Sequence, residues 1–186
     1  MANPDSIALA ASAEAEGLES VLVGGNAVNL HAYLRTTFDV DLLVRESESE
    51  RWLSFFEQHG YTVFHRTRNF IRLRFAHDPT AALPVDLMLA DAQTFSKIRG
   101  ESRRCDIGNG LNLLIPSPLH LIAMKLHALR SPQRFETGID LQDVKHLIKA
   151  AKIETSSSEF AEIVKRYATD TIRARILDEL SEKSGS

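Results

Sequence analysis

An α/β fold, more narrowly α+β, is what this sequence predicts: a small mixed sheet flanked by helices over residues 1–115, then a helical region over 116–186 that packs on that core. Three observations carry it. Short runs rich in β-branched and aromatic residues recur in the first part, at 21–23, 38–44, 61–64, 70–75, 85–89 and 111–115. Segments with apolar residues three and four positions apart lie between several of them. Beyond Pro116 the strand pattern stops and helical periodicity takes over.

Residues 5–17 are alanine-rich and read as a helix, and Val21-Leu22-Val23 reads as a buried strand halted by Gly24-Gly25. Ala27, Leu30 and Leu34 mark a helix over 26–34. The β-rich stretch 38–44 follows. Trp52, Leu53, Phe55 and Phe56 give 46–59 an amphipathic helical face, closed by Gly60. The four remaining runs are strands. Ser117-Pro118 is an N-cap with proline at the first helical position, opening a helix over 118–130. Helices over 138–151, 158–168 and 170–182 complete the chain. Ser156 stands three residues before Glu159, a capping-box spacing.

The 186 residues suit one domain with a sizeable core. A net charge of −3 gives no general attraction to nucleic acid, so any such contact needs a local patch. A single cysteine, Cys105, rules out an internal disulfide and a multi-cysteine zinc site. The N-terminal stretch lacks a basic segment and carries acidic residues, a poor secretory signal. No apolar run approaches the roughly 18 residues of a membrane span. A cytoplasmic protein is the expectation.

Strand side chains alternate, so Asp39 and Asp41 are expected on one face, with Phe38, Val40 and Leu42 on the other. Like charges at adjacent same-face positions repel, and a hard divalent cation such as Mg²⁺ or Mn²⁺ removes the objection. Asp86, inside the apolar run 85–89, offers a third carboxylate. Three such groups at one edge could hold two ions about 3.5–4 Å apart, suited to displacement at phosphorus. Solvent-facing aspartates on an edge strand are the plainer reading of each alone. Gly24-Gly25 lets the backbone approach a ligand where a helix N-terminus favours phosphate; a mere tight turn is the alternative.

Val23-Gly24-Gly25, Asp39-Val40-Asp41-Leu42 and the separate Val85-Asp86-Leu87 together resemble the DNA polymerase beta-like nucleotidyltransferase superfamily. Arg35-Thr36-Thr37-Phe38-Asp39 is similar to the approach in bacterial members related to AbiE-type toxins. The resemblance covers residues 21 to about 90. It implies transfer of a nucleoside monophosphate from a nucleotide triphosphate, with Asp39, Asp41 and Asp86 catalytic and metal-binding. Gly24, Gly25, Arg35 and Thr37 would hold the nucleotide. An RNA (a tRNA end included) or a protein would be the acceptor, and a cognate antitoxin or toxin a partner. An antibiotic-type enzyme with a small hydroxylated acceptor is the alternative within the class. A non-catalytic binding module or antitoxin is the alternative outside it.

In the helical part Lys125 emerges from an apolar face made by Leu121, Ile122, Ala128 and Leu129. It either snorkels to the rim or, as the order Ala123-Met124-Lys125-Leu126, Arg130, Arg134, Asp140-Leu141-Gln142-Asp143 resembles AbiE-type enzymes, contacts the triphosphate. Asp140 and Asp143 would by that likeness orient Lys125 or the substrate. Ile139 stands where the family often has a basic residue, a departure. Thr137-x-x-Asp140 also has capping-box spacing. Finally, Arg66, Arg68, Arg72 and Arg74, with Arg103 and Arg104 further on, form either a phosphate-binding patch or the solvated face of a hairpin.

Overall fold

The computed structural model describes residues 5–181, the side chains of 177–181 excepted. The expected helix end at 182 and the first four residues of the stretch weighed as a secretory signal lie outside the described residues. The chain divides into two units, residues 1–27 with 35–117 and residues 28–34 with 118–186.

The first unit is built on a five-stranded mixed sheet of order β1-β2-β5-β4-β3. Its strands are β1 (Val21–Leu22), β2 (Val40–Arg45), β3 (Tyr61–Arg66), β4 (Phe70–Phe75) and β5 (Val85–Ala90). β2 and β5 run parallel, Val40 opposite Val85 and Asp41 opposite Asp86. β4 lies antiparallel to β5 with Arg72 opposite Asp86. These two registers decide the site, because one slipped residue would turn every side chain to the other face. The register is held by burial: Val40, Leu42, Ile71, Leu73, Val85 and Leu87 are all shut off from solvent. At the strand entrances the Val40 amide donates to the Pro84 carbonyl at 2.9 Å. Ser6 Oγ donates to Leu83 O at 2.7 Å and shares a hydrogen with Tyr61 Oη at 2.8 Å, tying the approach to β5 to the sheet edge.

Helix α1 (Ser6–Ser12) continues as a 3₁₀ turn, Ala13–Glu16, where one longer helix is expected. Asp5 caps it through the Ile7 and Ala8 amides. α2 (Gly24–His31) begins at the glycines themselves and stops short of Leu34, which is 88% exposed and joins no apolar face. Phe38 is likewise 75% exposed. It precedes β2, where the chain is not yet pleated, so the alternation expected from residue 38 starts only at Val40. α3 (Ser49–Gln58) buries Trp52, Leu53, Phe55 and Phe56, as its periodicity predicts. In this unit α4 (Ala92–Gly100) and β6 (Arg103–Gly108) go beyond the sequence reading. α4 is capped by Asp91, whose carboxylate accepts from the Thr94 amide at 2.9 Å. β6 pairs with β7 (Leu111–Ile115) in a separate hairpin. Cys105 lies in β6 as a free thiol.

The second unit contains α5 (Pro118–Ala128), α6 (Pro132–Thr137), α7 (Ile139–Ala150), α8 (Ser158–Tyr167) and α9 (Asp170–Ser181), with residues 28–34. α6 was not expected. Leu121, Ile122, Leu126, Val144 and Leu147 form its core, each fully buried. Among the described residues no helix is long and apolar enough to cross a membrane.

The cap of α8 differs from the spacing argument. Ser157, not Ser156, is the N-cap, its Oγ accepting from the Phe160 amide at 3.3 Å. Ser157→Ala should therefore cost about 1 kcal/mol of stability, within the usual range for a lost cap. Ser156→Ala should be neutral in the same urea titration; the reverse ranking would contradict this cap.

Candidate active site

Asp39 ends the loop entering β2, Asp41 is the second residue of that strand, and Asp86 is the second residue of β5. Parallel register places Asp41 and Asp86 side by side, and one ligand oxygen from each of Asp39, Asp41 and Asp86 lies within 4.8 Å of the other two. Asp86 is buried and the other two half-buried. The donor set is all carboxylate oxygen, so the cation it could hold is a hard one of the Mg²⁺ or Mn²⁺ kind.

The glycines belong to the same cluster for a steric reason. Gly24 has φ +60°, and a Cβ on it would stand 1.8 Å from Asp41 Oδ2 and 2.5 Å from its Cγ. No side chain fits there. A Cβ on Gly25 would meet Thr37 Oγ1 at 2.8 Å and Arg35 Nη2 at 2.9 Å. Two hydrogen bonds strap this glycine segment to the aspartate segment: the Val23 amide to Asp41 O at 2.9 Å, and Asn26 Nδ2 to Asp39 O at 2.8 Å. Thr37 Oγ1 is 3.4 Å from Asp39 O and 3.3 Å from Asp39 Oδ1. Arg35 donates from Nη1 to the Thr36 carbonyl at 3.1 Å. Gly24, Gly25, Arg35, Thr37, Asp39, Asp41 and Asp86 thus form one neighbourhood at the N-terminus of α2, where helix amides attract anions.

Sequence reasoning missed the cation already in the cluster. Arg72 donates from Nε to Asp86 Oδ1 at 2.7 Å and from Nη2 to Asp86 Oδ2 at 2.6 Å, the paired fork geometry. Nη2 also reaches Asp39 Oδ2 at 3.1 Å. The hydrogen bonds to Asp86 hold the Arg72 guanidinium protonated still more firmly than usual, against the opposing effect of burial and with help from the charges of Asp86, Asp39 and Asp41. The signal available in the sequence was Arg72 between the core residues Ile71 and Leu73; which carboxylate it faces depends on the β4–β5 register.

Three other arginines of the expected patch have partners too. Arg74 stacks on Phe64 with 4.6 Å to the ring centroid, and Arg66 pairs with Glu50 at 2.8 Å. Arg104 pairs with Glu14.

The remaining candidates form their own network within the second unit. Lys125, 5% exposed, places Nζ 2.8 Å from Asp140 Oδ1 and 2.8 Å from Asp143 Oδ2. Lys125 therefore does not snorkel to the rim. Asp140 also accepts from Arg134 Nε at 2.7 Å and Nη2 at 3.1 Å, and Asp143 accepts from Tyr33 Oη at 2.8 Å. Tyr33 stacks on His146 with centroids 3.9 Å apart. Burial pushes the Asp140 carboxyl up, but the Arg134 hydrogen bonds and the Lys125 charge outweigh it and hold the group below the usual carboxylate range. Asp140 makes no capping box: Thr137 Oγ1 donates back to Arg134 O at 2.9 Å, and Gly138 is the N-cap without a side-chain bond.

No protein-family model matches the chain, and no curated protein sequence matches it. Solved structures share its fold. ANT(2'')-Ia in complex with adenylyl-2''-tobramycin aligns with a TM-score of 0.67 at 16% identity, over 87% of this chain and 96% of that one. An antigenic nucleotidyltransferase-like protein from Paracoccidioides brasiliensis gives 0.55 at 16% identity, over 92% and 90%. The lincosamide antibiotic adenylyltransferase LnuA, lincomycin-bound, gives 0.50 at 15% identity, over 73% and 89%. The chain has the nucleotidyltransferase fold.

Two substitutions test the local physics. Gly24→Ala must strain a left-handed backbone and push the Asp41 carboxylate aside, so stability should fall by about 1–3 kcal/mol in urea unfolding. An unaltered midpoint would show that the close approach is not real. Lys125→Met, harmless for a snorkelling lysine, strips a charge partner from two buried carboxylates and should cost about 3–5 kcal/mol. Equal melting temperatures for mutant and wild type would contradict the buried network.

Proposed function

We propose that this protein is a metal-dependent nucleotidyltransferase that moves a nucleoside monophosphate from a nucleotide triphosphate to a hydroxyl acceptor. One observation carries the reading: three carboxylates converge within 4.8 Å at the start of α2, where a Cβ on Gly24 would stand 1.8 Å from Asp41 Oδ2. The fold shared with ANT(2'')-Ia and LnuA supports it. A non-catalytic module would have no reason to keep like charges packed against a glycine cradle.

Asp39, Asp41 and Asp86 would hold Mg²⁺ or Mn²⁺, as one ion or two. When bound, such ions supply Lewis-acid neutralisation of phosphate charge. The amides at the start of α2 take phosphate oxygens, helped by the helix dipole. Thr37 and Arg35, both against Gly25, would close the cradle from the other side. Asp86 would complete the metal site and assist deprotonation of the acceptor hydroxyl. For Lys125, Asp140 and Asp143 the reading keeps the nucleotide-binding role that the resemblance implies, with the two carboxylates fixing the ammonium.

The acceptor can be read in two ways. In the toxin-like reading an RNA end or a protein takes the nucleotide, and a cognate antitoxin restrains the enzyme. The second reading is a small hydroxylated acceptor, as in an antibiotic-type enzyme, and the fold shared with ANT(2'')-Ia and LnuA supports it to the same degree.

Incubating the protein with each labelled nucleotide triphosphate and Mg²⁺ separates the readings, using total RNA in one set and aminoglycosides or lincosamides in the other. Label should pass to an acceptor with wild type, and Asp41→Asn should lower the rate at least 100-fold, an order suggested by the loss of electrostatic stabilisation at a reacting phosphate. Transfer unchanged in Asp41→Asn would refute the assignment of the centre.

A further inference from the structure

We propose that Arg72 is the resident cation of the carboxylate cluster and gates metal entry: its guanidinium holds Asp86 and Asp39 until a divalent ion displaces it, after which it serves the incoming phosphates. The inference rests on the metal-site reading above.

The geometry sets up a competition. A metal shared by Asp39, Asp41 and Asp86 needs oxygens that face one another, and Arg72 Nη2 stands between two of them, 2.6 Å from Asp86 Oδ2 and 3.1 Å from Asp39 Oδ2. A guanidinium and a divalent ion cannot share that space, since two cations at such distances repel strongly. Asp86, at 3% exposure, needs a positive partner whichever cation supplies it. Arg72 meets that need.

Its exit is open as well. The Arg72 side chain is 36% exposed, against 4% for Asp86, so the guanidinium can swing outward while the carboxylate stays fixed. β4 carries Arg72 on the same neighbourhood that abuts the α2 N-terminus, where a triphosphate would rest. A guanidinium fork suits phosphate oxygens as well as carboxylate oxygens. Displacement by metal is therefore easiest when nucleotide offers the arginine a second anion. Metal and nucleotide should bind with positive coupling, and Arg72 should be the source of part of it.

Mn²⁺ titration followed by electron paramagnetic resonance of the free ion measures this without catalysis. The proteins are wild type, Arg72→Met, Arg72→Lys and Asp41→Asn, with and without a non-hydrolysable triphosphate. Without nucleotide, Arg72→Met should bind Mn²⁺ roughly 10-fold tighter than wild type or more, the scale of a displaced charged hydrogen bond. Nucleotide should tighten Mn²⁺ binding in wild type and do so much less in Arg72→Met. Arg72→Lys keeps the charge without the fork and should fall between the two; it also serves if Arg72→Met does not fold. Equal or weaker Mn²⁺ affinity in Arg72→Met, or an Arg72→Lys protein indistinguishable from wild type, overturns the gate while leaving the metal site standing. Mn²⁺ bound by none of the proteins, or bound equally by Asp41→Asn and wild type, overturns the metal site and the gate together.

Discussion

Charge repulsion among three carboxylates governs how the first unit is put together. At separations within 4.8 Å, each charged pair costs roughly 3–4 kcal/mol even at an effective dielectric of 20. That exceeds what one strand residue gains by burying a neighbour, so the register that joins Asp41 to Asp86 persists only because other features absorb it. Arg72 across the β4–β5 ladder is one such feature. The apolar residues alternating with the carboxylates, Val40, Leu42, Val85 and Leu87, are another, since slipping the register would turn them outward and the charges inward.

The glycines follow from the same constraint. To hold Asp41 in place the chain must come back within bonding distance of β2, and the Val23 and Asn26 bonds accomplish this. That approach leaves no room for a Cβ at Gly24, and the Thr37 and Arg35 side chains crowd Gly25. The distance in sequence between the glycines and the aspartates is thus one helix, α2, and the return loop that carries Arg35 and Thr37 back to the glycines. A second charge cluster, Lys125 with Asp140 and Asp143, obeys the opposite logic. It balances itself internally, with Arg134 and Tyr33 completing the hydrogen bonding, and so tolerates burial.

Much of this was legible in the residues. The β-branched runs announced the sheet strands, and Trp52 to Phe56 announced α3, because a single period dominated each stretch. Where local chemistry was thin the reading failed. α4 buries only Phe95 and Ile98 behind its Asp91 cap, β6 is mostly exposed with Cys105 and Ile107 half-buried, and α6 is short enough to hide in a loop. In Ser156-Ser157-Ser158 the sequence offers three possible caps, and backbone geometry, not spacing, selected one. Leu34 and Phe38 were misread because apolar character says nothing where the chain has left the helix and not yet entered the strand. The aspartates were visible as a pattern. The Arg72 partnership was invisible, because it exists only once two strands far apart in sequence are set in register.

Residues 28–34 belong with the helices that follow Ser117, while the segments on either side belong with the sheet. Each unit is therefore assembled from separated pieces of chain. During synthesis the short piece emerges early, and Tyr33 must wait for the segment bearing Asp143, residue positions 110 apart, before its hydrogen bond can form. Long loops of this kind are closed late and slowly, because their entropy is lost before their contacts form. A chain that ends before α7 would leave Tyr33 without the Asp143 carboxylate that accepts its hydroxyl and without the His146 ring it stacks on.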